Sequence, residues 1–125
     1  MLSEIIQKIK NDAVERLKKE GTTASNLFID ERIINAGDKI IAGTDEIAVY
    51  QDTIMVFVDD DPEYNWSHPC RYFLYDALKG GFLKQVDAGF PPYMFDISAT
   101  YLPFYKQVVH EDSDYDKDIK NFPDS

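Results

Sequence analysis

With 125 residues, 44% of them hydrophobic and 14% aromatic, the chain can build a hydrophobic core of its own, and a single domain is expected. A formal charge of −10 lacks the basic footprint that a phosphate backbone demands, which excludes a nucleic-acid partner. The single cysteine, Cys70, cannot close an internal disulfide, so packing alone must hold the core, as suits a reducing cytoplasm.

Leu2, Ile6, Ile9, Ala13 and Leu17 recur at steps of three and four, with Ile5 widening the stripe. Lys8, Lys10, Asp12, Glu15, Arg16, Lys18 and Lys19 sit between them. The spacing predicts an amphipathic helix with one face docked. Ser3 serves as its N-cap, Gly21 as its stop, and two lysines in the last turn suit the negative end of the helix dipole. Its near-balanced charge and lack of an aromatic anchor favour core packing over a membrane surface. No run reaches the roughly 18 apolar residues of a membrane span, and the charged N-terminus has no signal-peptide middle. No membrane partner and a cytoplasmic location are therefore expected.

From Thr22 onward, β-branched and aromatic runs alternate with turn residues. Asn26–Asn35 suits a strand or a short helix, and "AGDK" reads as a turn before a short strand, "IIAG". Glu46–Tyr50 and Thr53–Val58 read as two strands, with Gln51-Asp52 as a tight turn between them. Ile54 to Val58 is apolar at every position, the mark of a central strand covered on both faces. Arg71–Tyr75 and Phe82–Val86 form a hairpin around Gly80-Gly81. "GFPPYMF" is extended, because its proline pair rejects both helix and central strand. Ile97–Val109 reads as a strand or a broken helix with Pro103 inside it, and the polar tail as mobile. The expected fold is α+β, an N-terminal amphipathic helix packed on an antiparallel sheet as a two-layer sandwich, with an extended aromatic C-terminal segment. Residues 1–109 form the domain and 110–125 an acidic, flexible tail.

This helix-then-strands order, with the late hairpin "YFLYDALKGGFL", resembles the cystatin-like and PepSY-like folds over about residues 1–90. The resemblance implies inhibition or binding as the activity. It also implies a secreted or membrane-bound setting, at odds with the missing signal peptide. The Trp66–Cys70 segment and the aromatic region after Phe90 depart from it.

Candidate chemistry gathers in "NWSHPCRY", which holds the only Trp, the only Cys and one of two His. In an extended segment His68 and Cys70 share a side, so an imidazole could take the thiol proton, and Arg71 could add positive potential. The surrounding sequence supplies no oxyanion hole, and Pro69 stiffens the link as a structural corner would. Asp59, Asp61 and Glu63 mimic the start of a calcium loop, as do Asp112, Asp114 and Asp116. Both runs lack its glycine at the sixth position and its glutamate at the twelfth, so no metal is expected. No phosphate loop, dinucleotide fingerprint or nucleophile elbow occurs, and no cofactor is expected.

Twelve of the seventeen aromatic residues fall between Tyr64 and Tyr105. One helix covers one sheet face, so aromatics on the other face meet a partner or are buried by the C-terminal segment. Tyr64, Trp66, Arg71, Tyr93 and Phe95 are the interface candidates, being of the types enriched at binding hot spots. The expectation is a small acidic, non-enzymatic binding or regulatory protein of inhibitor or immunity type. The expected partner is a protein, a basic one by charge, or a second copy. The alternative is an enzyme or small-ligand domain with a pocket near His68 and Cys70.

Overall fold

A computed structural model of the chain describes residues 2–42, 45–60, 70–89 and 101–108. Among these residues one helix, α1 (Leu2–Glu20), is followed by seven strands: β1 (Asn26–Ile34), β2 (Lys39–Ala42), β3 (Asp45–Ala48), β4 (Thr53–Asp59), β5 (Cys70–Asp76), β6 (Phe82–Ala88) and β7 (Tyr101–Lys106). Five strands form an antiparallel sheet in the order β6-β5-β4-β1-β7, and β2 and β3 pair as a separate hairpin. The chain is an α+β fold.

The helix forms where its apolar period predicts. Ile6, Ile9, Ala13 and Leu17 are buried against Leu27 and Ile29 of β1, Ile54, Val56 and Val58 of β4, and Phe73 and Tyr75 of β5. Burying each large aliphatic side chain contributes about 1.5–3 kcal/mol, so this seam holds the helix without help from propensity. Leu2, expected on the stripe, is 45% exposed, and the helix already begins there, so Ser3 lies in its first turn rather than at the cap. The stop is as expected. Gly21 takes φ 76°, and the Gly21 and Thr22 amides both donate to the Leu17 carbonyl.

β4 is the middle strand, buried from Thr53 to Val58. Its alternate residues feed two cores. Ile54, Val56 and Val58 face the helix, while Met55 and Phe57 join Phe28, Cys70, Tyr72 and Leu74 on the far face. That far face is covered, at least in part, by the β2–β3 hairpin, through Ile40 and Ile47 with Val49 behind them. β3 therefore does not turn back onto β4, as the Gln51-Asp52 spacing predicted. It pairs with β2, and β4 pairs with β1 across the excursion. The excursion closes at its base: the Gly37 amide donates to the Val49 carbonyl, and the Val49 amide to the Asp38 carbonyl.

β1 leaves register with β4 between Asp30 and Ile34. The buried Asp30 carboxylate accepts from the Arg32 backbone amide at 3.0 Å and from both Nε and Nη2 of the Arg32 guanidinium. A side chain that captures the amide two residues on diverts the backbone from its ladder, which explains the break. β7 runs through Pro103 at the sheet edge, where a missing N–H is tolerated, with a register shift beside it. Asn26 fastens its end, its Oδ1 accepting from the amides of Gln107 and Val108.

Candidate functional site

Of the residues singled out by sequence, Tyr64, Trp66, His68, Tyr93 and Phe95 lie outside the described residues. Arg71 and Cys70 lie within them, side by side at the start of β5, with their side chains on opposite faces.

Arg71 is only 13% exposed. Its Nε and Nη2 donate to the two carboxylate oxygens of Asp60, each at 2.9 Å, and its Nη1 donates to both oxygens of Glu20. The Ser25 hydroxyl also donates to Asp60, at 2.7 Å. Burial alone lowers the guanidinium's pKa, but hydrogen bonds and charge from Asp60 and Glu20 outweigh it and raise the value. The cluster ties the end of α1, the approach to β1, the exit of β4 and the start of β5 at one corner. Arg71 thus spends its donors inside the chain, as a clasp.

Cys70 points the other way, buried among Tyr72, Phe57 and Met55, with its Sγ 3.6 Å from the Ala88 carbonyl oxygen. A thiol so enclosed meets solvent reagents only when the far face opens. A second enclosed polar group sits between helix and sheet: the Tyr75 hydroxyl donates to Asp12 Oδ2 at 2.8 Å, and Arg16 Nε donates to the same oxygen. Among the described residues, no three His, Cys, Asp or Glu side chains converge as a metal site, and no helix is long and apolar enough to cross a membrane.

A partly apolar depression lies where the hairpin returns to β4. Val49 and Thr53 are buried, whereas Tyr50 between them is 84% exposed. Ala48 to Gln51, Thr53, Leu74, Leu83 and Lys84 line a groove of about 250 Å³. Its floor is built by Leu74 of β5 and Val49, both buried, and one wall by Leu83, which is 40% exposed. Leu83 reaches it because β6 shifts register between its pairings with Leu74 and Tyr75. Lys84 Nζ lies 5.9 Å from the centre of the Tyr50 ring. Sequence reading placed Tyr50 inside a strand; the visible signal was only its position beside the Gln51-Asp52 turn.

No protein-family model, curated protein or solved structure matches the chain, so its geometry alone bears on function.

Proposed function

We propose that the protein is a small, non-enzymatic binding or regulatory module, of the kind an inhibitor or immunity protein represents, and that it acts on a protein partner. The observation that carries this reading is Tyr50, an aromatic ring 84% exposed beside an apolar groove. An exposed tyrosine next to a preformed apolar depression is the arrangement from which binding hot spots are built, because a two-torsion ring buries a large area at small entropic cost. The burial of Cys70 weighs in the same direction, since a thiol-based reaction needs its sulfur within reach of substrate. Tyr64, Trp66, Tyr93 and Phe95 remain proposed contributors to the contact surface. Arg71 would act indirectly, through the corner that it clasps with Glu20 and Asp60.

The test compares wild type with Tyr50→Ala as immobilised baits in lysate of the source cells, with captured proteins identified by mass spectrometry. A residue so exposed contributes little to folding, and the variant should keep its stability within about 0.5 kcal/mol. The expected result is a protein retained by wild type and lost by the variant. Identical captures from two equally stable baits would remove Tyr50 from the contact surface and, with it, the support for this reading.

A further inference from the structure

The lining of the groove runs against the chain's net charge. The protein carries −10, yet among the described residues no carboxylate lines the groove, and the one charged lining residue is Lys84. Three acidic side chains adjoin the lining along the chain, Glu46, Asp52 and Asp76, and each accepts from a donor within the chain; Glu46 accepts from Lys39 Nζ at 2.6 Å. Asp52 accepts from the Ala36 amide at 3.1 Å, and Asp76 from the Leu78 amide at 3.1 Å and from Gln51 Nε2 at 3.4 Å. What remains open is an apolar slot floored by Val49 and Leu74, walled by Tyr50 and Leu83, with an ammonium group at its mouth. Its volume, about 250 Å³, is of the order of a single large side chain and too small for a whole helix.

We infer that this groove takes an apolar side chain flanked by an aspartate or glutamate, presented on an exposed segment of a partner protein. The inference rests on the protein-binding reading above and adds the chemistry of the ligand. The apolar group is recognised by the floor and walls. The neighbouring carboxylate is recognised by Lys84, which is held near Tyr50 by attraction to the ring and keeps donors free for an acceptor outside. A lysine or arginine beside the apolar group would meet the ammonium at close range and be rejected. The sheet edges favour a side-chain site over strand addition. β7 is blunted by Pro103 and a register shift, and β6 by its own shift and by Lys84.

Three capped dipeptides test this: acetyl-Leu-Glu-amide, acetyl-Leu-Gln-amide and acetyl-Leu-Lys-amide, titrated into the ¹⁵N-labelled full chain and followed by amide shifts. The expected shifts map to Val49–Thr53 and Leu83–Lys84. The glutamate peptide should bind about two- to fivefold tighter than the glutamine one, the range a single exposed ion pair gives, and the lysine peptide weakest. Lys84→Glu should invert that order, and Tyr50→Ala should weaken all three. Absence of shifts at the groove, equal binding of the three peptides, or an order untouched by Lys84→Glu would each overturn the inference. The two proposals fail separately. Tyr50-dependent capture without the peptide order sinks only the ligand chemistry, and the peptide order without Tyr50-dependent capture sinks only the protein-level reading.

Discussion

Tyr75 is fully enclosed, and its hydroxyl keeps a proton that solvent would take in strong base. Burial pushes its pKa up well beyond the usual tyrosine value of 10.0, the hydrogen bond to Asp12 and that group's negative charge push it further, and Arg16 pulls back only in part. Tyr101 is raised in the same direction, by burial and then by the charge of Asp59. A raised acid holds its proton in the folded state while the unfolded chain loses it. Stability from this source is therefore complete below about pH 10 and declines above it, by up to about 1.4 kcal/mol per pH unit for each group. Denaturant unfolding followed from pH 9 to 11.5 should show that decline. Tyr75→Phe should flatten the slope while costing about 0.5–1.5 kcal/mol at neutral pH through the lost hydrogen bond. Equal slopes in the two proteins would mean that the hydroxyl is not enclosed as described.

Among the elements, the β5–β6 turn shows how closely helix and hairpin meet. Gly80 has φ 78°, and a Cβ there would sit 3.3 Å from Ile5 Cγ2, 3.3 Å from Lys8 Cδ and 3.4 Å from the Ile5 carbonyl oxygen. Lys8 Nζ also donates to the Lys79 carbonyl at 2.9 Å, so the turn is stapled to the helix. Gly80→Ala should cost about 1–2 kcal/mol from the left-handed backbone alone. Gly81, with ordinary φ and nothing within 4 Å, should accept alanine within about 0.5 kcal/mol. Equilibrium denaturation of the two variants separates them, and equal costs would show that the turn is not held in this conformation. This hairpin was legible in the sequence because its strands are adjacent and the glycine pair names the turn. The helix was legible for the same local reason. The ends of β1 and β7 were not, because a captured amide at Asp30 and a proline on an edge are tolerated only through neighbours far away in sequence.

For the whole molecule, the far face decides the architecture. The β2–β3 hairpin lays Ile40 and Ile47 over Met55, Phe57, Tyr72 and Leu74, and the aromatic rings of Phe28, Phe57, Tyr72 and Tyr101 pack there at 5.6 to 5.8 Å between centroids. Ile40→Ala should cost about 2–5 kcal/mol as a cavity substitution and speed alkylation of Cys70, a member of the same buried cluster, whereas the 44% exposed Ile41 should tolerate alanine. If Ile40→Ala left both stability and alkylation rate unchanged, the hairpin would be a loose arm and not a layer. No local pattern distinguishes these cases. The spacing between β3 and β4 suits a tight turn as well as it suits a crossing between sheets, and only the need to cover an apolar face chooses. The groove was hidden for the same reason. Tyr50 reads as one more aromatic in a strand until the crossing pulls it off the sheet, and Leu83 reaches the slot only through a register shift. The clasp was half visible, since Arg71 drew notice as a contact residue while its carboxylates, Glu20 and Asp60, stand 51 and 11 residues away.

The place of β7 has a consequence for biosynthesis. β1 is flanked by β4 on one side and β7 on the other, with Asn26 paired to Lys106. During synthesis at roughly 5–20 residues per second, β1 leaves the ribosome seconds before the strand that completes it. Over that interval the edge running through Leu27, Phe28 and Ile29 presents unpaired backbone and large apolar side chains, the features that recruit chaperones and seed aggregation.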